Sequence, residues 1–306
     1  MDYRDLIDPA MWQFIRATTR HYPAVELSIA EQRRAYDAMC QTFNAGRPDR
    51  IKVVNSRTGA VGLRHYSVGG GSATIVYFHG GGFVVGGLDS HDDVCAEICA
   101  GTGYDVIAVD YRLAPENRHP AMYNDAMIAT RHVFNMSRQP VLLCGDSAGG
   151  NLAAAVTHTL RGAVTQITGQ LLIYPALGGD PNTGSYLRHA DAPMLSRDDV
   201  MFYEKVRVLC KPPTGDPTYA PLMDLDFSGL PSTIVVTAEF DPLSDDGQNY
   251  CRHIADAGGR SRWINEQGLV HGYLRARHSV PLAKQSFARI ISALYNLGRG
   301  VWPADE

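Results

Sequence analysis

From about residue 74 onward, short apolar runs alternate with longer amphipathic stretches. ATIVYFH, DVIAVD, PVLLCG, QLLIYP, TIVVTAE and SRWINEQ read as strands, and most lack the strict alternation of a half-exposed strand, so they are expected to be buried on both faces. PAMYNDAMIATRHVF, the stretch after residue 147, and the stretches at about 244–257 and 279–297 carry helical periodicity. Helices between buried strands supply right-handed crossovers, so the pattern predicts an α/β fold: a mostly parallel central sheet flanked by helices.

Upstream the rhythm differs. DPAMWQF offers Asp8 as an N-cap with Pro9 at the first helical position, and Ser28 with Glu31 forms a capping box opening a helix that closes at Gly46. IKVVNSRTGAVGLRHYSV reads as two strands joined by a turn through Thr58-Gly59, with the glycines at 69–71 closing the hairpin region. The stretch between YPAL and TIVVTAE is rich in Pro, Asp and Tyr and supplies no obvious strand. A structureless loop of that length is unusual in a compact domain. It is therefore read as an insertion with helix of its own, such as SRDDVMFYEKVRVL, forming a lid with the N-terminal helices. The 306 residues are taken as a single domain, with a cap formed by about 1–46 and about 178–218.

Composition narrows the chemistry. Hydrophobic residues are 45% and charged residues 20%, ordinary for a globular protein with a substantial core. The formal net charge of −4 comes without a Lys/Arg run, which points to small-molecule partners and away from nucleic acid. MDYRDLIDPAMWQF has no apolar core of signal-peptide length, and no window approaches a membrane span, so a cytoplasmic location is expected. Cysteines 40, 95, 99, 144, 210 and 251 include no C-x-x-C pair, so reduced thiols are expected and a metal site is not. Cys95 and Cys99, one helical turn apart, are read as buried packing residues.

The chemistry concentrates in LCGDSAGGNLAAA. Gly145-Asp146-Ser147-Ala148-Gly149 matches G-x-S-x-G, and its setting sharpens a short motif: an apolar run ends just before it and a helix-forming run begins just after. A serine on a tight strand-to-helix turn needs neighbours without Cβ where the two backbones crowd. Such a turn lifts Oγ out of the sheet and aims helix N-terminal amides at an anion forming beside it. A second glycine cluster, His79, Gly80, Gly81 and Gly82, ends an earlier strand. It has neither the G-x-G-x-x-G spacing nor the Lys of a phosphate loop. The amides of Gly81, Gly82 and Ala148 are expected to form an oxyanion hole.

A serine nucleophile needs a base and the base an orienting acid, and in folds that carry the serine on such a strand-to-helix turn the chain order is Ser, acid, His. His158 and His253 fall in expected helices, and His278 begins the last helix as a solvated or capping residue. His271, just past a strand between Gly268 and Gly272, is the expected base. Asp241 follows a strand directly and is the favoured acid. Glu239, two residues earlier on the same face, is its rival. Asp245 and Asp246 are read as first-turn residues complementing a helix dipole.

These motifs together resemble the hormone-sensitive-lipase-like (bacterial family IV) esterases of the α/β-hydrolase superfamily, which include acetyl esterases. HGGGF, DYRLAPE, GDSAGGNLAAA, YAPL, AEFDPLSDDG and HGY occur in order across about residues 70–295. The resemblance implies Ser147 as nucleophile, Asp241 as acid, His271 as base, and Gly81, Gly82 and Ala148 as oxyanion donors, with His79, Gly80, Gly145 and Gly149 supporting the motifs. It implies a helical cap, and homodimers are common in the family. Arg112 and Glu116 of DYRLAPE are read as fixing the loop, and His119 stands where the family usually has an aromatic residue. The expected activity is hydrolysis of short- to medium-chain acyl esters through an acyl-enzyme, without metal or organic cofactor. The alternatives are an amidase or arylformamidase, and a non-catalytic ligand-binding protein on the same scaffold.

Overall fold

The computed structural model describes residues 2–22, 27–136, 138–162 and 166–302. Among them the strands β1 (Lys52–Thr58), β2 (Val61–Ser67), β3 (Thr74–Phe78), β4 (Asp105–Asp110), β5 (Val141–Asp146), β6 (Ile167–Ile173), β7 (Ser232–Phe240) and β8 (Ser261–Val270) form one sheet. Their order is β1-β2-β4-β3-β5-β6-β7-β8. β2 runs antiparallel to both of its neighbours, and the pairs from β4 through β8 are parallel. Every residue of β3 and β5 is buried, which is why these runs do not alternate, whereas the edge strand β1 is exposed along most of its length.

The helices are α1 (Pro9–Thr19), α2 (Ile29–Phe43), α3 (Asp92–Thr102), α4 (Ala121–Met136), α5 (Ala148–Leu160), α6 (Gly184–Arg188), α7 (Arg197–Arg207), α8 (Ser244–Asp256) and α9 (Pro281–Gly298). α3 and α9 bury their apolar residues against one face of the sheet, and α4, α5 and α8 cover the other. None of the described helices is long and apolar enough to cross a membrane.

Local sequence explains the starts. The Asp8 carboxylate accepts the Ala10 amide at the head of α1, and Ser28/Glu31 and Ser196/Asp199 close capping boxes on α2 and α7; such caps contribute about 1 kcal/mol each.

Three details depart from the expectations. α2 ends at Phe43 rather than at Gly46, because Asn44 leaves helical geometry and its Oδ1 accepts the Gly46 amide at 2.7 Å. α3 was not anticipated: Asp93, Val94, Cys95, Ala96, Ile98 and Cys99 bury several faces at once, so the sequence shows no one-sided stripe. Cys95 and Cys99 are indeed buried free thiols. His278 neither begins nor caps the last helix, which starts at Pro281; its Nε2 lies 2.8 Å from Glu97 Oε1 on α3. Of the segment 1–46 expected in the cap, residues 1 and 23–26 lie outside the described residues.

Candidate active site

β5 ends at Asp146 and α5 begins at Ala148, leaving Ser147 alone in the turn at φ 54°, ψ −116°. A non-glycine residue held there stores about 1–3 kcal/mol of strain. The surroundings fix it: the Ser147 amide donates to the Ile173 carbonyl at 2.8 Å, and the Ser147 carbonyl accepts the Asn151 and Ala176 amides. The two motif glycines answer to crowding. A Cβ on Gly145 would lie 2.5 Å from the Gly149 carbonyl group and 2.6 Å from Phe78 O, and one on Gly149 would overlap the Phe78 carbonyl. Because Ala148 opens α5, its N–H has no acceptor within the helix.

The loop after β3 meets this turn through a buried carboxylate. Asp146 Oδ1 accepts the Gly80 amide at 2.9 Å and the Tyr77 hydroxyl at 2.8 Å, and its carboxylate also faces His91 Nε2 at 3.4 Å. Burial alone would raise the Asp146 pKa, but His91 and the Tyr77 hydrogen bond outweigh it and hold the carboxyl well below the usual range. A side chain at position 80 would collide with this carboxylate. His79 Nδ1 donates to the Gly80 carbonyl at 2.7 Å, its ring stacks on Tyr111 at 4.2 Å, and the Tyr111 hydroxyl donates to the His79 carbonyl. Burial, with His91 alongside, pushes the His79 pKa down to about 3, so the ring is a neutral packing piece. Gly81 and Gly82 take φ values of 119° and 59°; a Cβ on Gly81 would overlap the Val85 carbonyl and one on Gly82 the Tyr203 ring. Asp146 had no role in the sequence reading, although a carboxylate ending an otherwise apolar strand was the available signal.

Asp241 and His271 reach Ser147 from the ends of β7 and β8, with β6 lying between these strands and β5. Asp241 is fully buried; its Oδ1 accepts the Leu243 amide at 2.8 Å and its Oδ2 lies 2.7 Å from His271 Nδ1. His271 Nε2 lies 3.0 Å from Ser147 Oγ, and the ring packs against Tyr174 at 4.7 Å. A carboxylate oxygen only accepts, so this pairing puts the ring proton on Nδ1 and leaves Nε2 to accept from the serine hydroxyl.

Register explains why Asp241 and not Glu239 meets the histidine. Ala238 faces Glu266 but Phe240 faces Val270, so one residue of β7 spans three of β8, and Glu239 Oε2 is occupied by the Gly268 amide at 2.7 Å in that bulge. The bulge precedes the turn that returns His271 toward β5. Asp246 lies in the first turn of α8 as expected, and it is also buried, with its carboxylate accepting the Leu177, Gly178 and Gly179 amides. Three other histidines that follow Ser147 in the chain have partners of their own. His158 bonds Asp224 and Tyr250, His253 stacks on Phe227, and His189 meets the Tyr3 hydroxyl.

Ser147, His271, Gly81, Gly82 and Ala148 all line a cavity of about 930 Å³. Its opposite walls come from α2 through Tyr36 and Met39, α6 through Tyr186, and α7 through Val200 and Tyr203. Arg112 pairs with Asp125 at 2.8 Å and Glu116 with Arg33 of α2 at 2.7 Å. His119 faces Asp216 at 3.2 Å and sets its ring edge against Tyr219. A hydroxyl bonded to an imidazole that is backed by a buried carboxylate, beside a glycine loop and a helix N-terminus, can support nucleophilic attack on a carbonyl.

Known proteins share this arrangement of elements. Residues 75–275 match the family model described as alpha/beta hydrolase fold. The carboxylesterase NlhH of Mycobacterium tuberculosis is 38% identical over 230 residues, 72% of this chain and 72% of that protein. An ethyl acetate hydrolase of Pseudomonas putida is 31% identical over 231 residues, again 72% of each. The structure of a hyperthermophilic esterase from the archaeon Pyrobaculum calidifontis superposes with a TM-score of 0.87 at 28% identity, covering 95% of this chain and 99% of that one. The chain belongs to the α/β-hydrolase family, in its hormone-sensitive-lipase-like group.

Proposed function

We propose that this carboxylic ester hydrolase works through a Ser147-His271-Asp241 triad and an acyl-enzyme intermediate on short- to medium-chain acyl esters. The observation that carries the reading is the unbroken hydrogen-bonded chain from buried Asp241 through His271 to Ser147 Oγ at the cavity wall. His271 takes the hydroxyl proton as Oγ attacks the ester carbonyl, and Asp241 holds the ring in the tautomer that allows it. The amides of Ala148, Gly81 and Gly82 hold the oxyanion. The alcohol leaves with the proton from His271, and water then repeats the sequence on the acyl-serine.

One domain carries the site. α1, α2 and the segment around α6 and α7 act as its cap, a role supported by the cavity-lining residues they contribute opposite the strand ends. The preference for shorter chains draws on the similarity to an ethyl acetate hydrolase.

A fluorophosphonate probe is expected to label Ser147 in the native chain and to leave Ser147→Ala unlabelled. Initial rates over p-nitrophenyl esters of increasing acyl length are expected to peak at short to medium chains. Matched anilides are expected to turn over far more slowly. Absence of labelling together with absence of ester turnover would sink the reading.

A further inference from the structure

Among the described residues three arginines are buried, Arg64, Arg207 and Arg277. Arg64 pairs with Asp89 and Asp92, and Arg277 with Asp93 and Glu97. Arg207 has no carboxylate in ion-pair contact among the described residues. Its guanidinium is sandwiched instead, 3.7 Å from the Phe83 ring centroid and 4.3 Å from that of Tyr219. Nη1 donates to the Tyr219 carbonyl at 3.0 Å and Nη2 to Asn151 Oδ1 at 3.2 Å. Among the described residues Nε has no hydrogen-bond partner, and neither does the buried Tyr219 hydroxyl.

A buried cation is ordinarily neutralised by a carboxylate or deprotonated. Burial draws the Arg207 pKa down only to about 10, so it stays charged at neutral pH. Aromatic faces stabilise such a charge in part, while most of its N–H groups remain unused.

Arg207 also stands in the substrate space. Arg207, Phe83, Tyr219 and Asn151 line the same cavity as Ser147 and His271. Asn151 lies one helical turn beyond Ser147, and its amide donates to the Ser147 carbonyl. Glu204, one turn before Arg207 on α7, lines the cavity as well without pairing with it, and burial raises its pKa.

We propose that Arg207 recognises a carboxylate on the substrate, so that the preferred esters carry an anionic group remote from the scissile bond, as half-esters of dicarboxylic acids do. This rests on the reading of Ser147 as the nucleophile. Arg207 is on this account a specificity residue: it supplies the fork geometry and fixed charge that suit a carboxylate.

The test compares matched pairs by pH-stat at neutral pH: monoethyl adipate against diethyl adipate, and 4-acetoxybutyrate against butyl acetate. For at least one pair the anionic member is expected to have a kcat/KM about tenfold or more above the neutral one, the size of a charge-assisted hydrogen bond. That ratio is expected to collapse to about one in Arg207→Gln, to recover in part in Arg207→Lys, and to rise in Glu204→Gln, which removes a like charge. A native preference for the neutral member of both pairs would overturn the proposal. So would an unchanged ratio in Arg207→Gln with both rates falling together, which marks a purely structural tie between α7 and the glycine loop. A separate readout avoids turnover: adipate is expected to raise the Tm of Ser147→Ala but not of Ser147→Ala/Arg207→Gln. Absence of any ester turnover would remove the nucleophile assignment, whereas absence of the adipate-dependent Tm shift would remove the role of Arg207.

Discussion

At the strand ends beneath Ser147, the carboxylates that matter are tied up: Asp146 by Tyr77 and Gly80, Asp241 by Leu243 and His271, Glu239 by Gly268. In the opposite wall, built from α2, α6, α7 and the segment that follows α7, the cavity is lined largely by apolar and aromatic side chains, and Arg207 Nε and the Tyr219 hydroxyl have no hydrogen-bond partner among the described residues. The difference is one of tolerance. The floor depends on backbone approach and directional bonds, where an added methyl group collides with a carbonyl. The wall depends on volume, where one apolar group substitutes for another at modest cost. Under the proposed function, the floor carries the chemistry and the wall sets the selectivity.

Substitutions can break that contrast or sharpen it. Ser147→Ala is expected to lower kcat about 10⁶-fold on any ester the protein turns over, with an unchanged circular dichroism spectrum; residual turnover near the native rate would dissolve the distinction altogether. Asp241→Asn preserves shape but favours the wrong imidazole tautomer, so a loss of about 10⁴ in kcat is expected from steady-state kinetics.

Asp146→Asn tests the floor through stability rather than rate. Replacing a carboxylate that is fully buried and bonded is expected to cost about 3 kcal/mol, read by urea unfolding. Its folded pKa is depressed, so the stability it contributes is fully present above the unfolded Asp value of about 4 and is lost as pH falls from there toward the folded value. The gap between native and variant is thus expected to be constant at neutral pH and to narrow below about pH 4; a gap that widens on acidification would contradict the ionised state. In the wall, Tyr203→Ala is expected to move the acyl-length optimum upward while changing kcat/KM on short esters about tenfold or less. A loss on the scale of Asp241→Asn would place Tyr203 with the chemistry instead.

Legibility in the sequence followed the same divide. Strand runs and glycine clusters could be read because a doubly buried strand must be apolar and a crowded turn excludes Cβ. The strands at 74–78 and 141–146 and the turn at Ser147 lie where the pattern put them. α3 was hidden because burial on several faces erases the amphipathic stripe. Asp246 reads as a first-turn acid, and nothing local announces that the Leu177–Gly179 amides will converge on it. Arg207 sat unnoticed in RDDVMFYEKVR, a helix whose other charges are mostly exposed.

The sequence by itself determined which apolar runs are strands of a mostly parallel sheet, the glycine-framed turn at Ser147, and the short roster of candidates to act with it, because backbone sterics and doubly buried strands leave few residue types admissible. Only the tertiary structure set Asp241 rather than Glu239 against His271, gave Asp146 its partners, and placed Arg207 in the cavity wall with no carboxylate partner among the described residues. Those outcomes depend on register and on contacts between segments tens to hundreds of residues apart, and no local pattern encodes them.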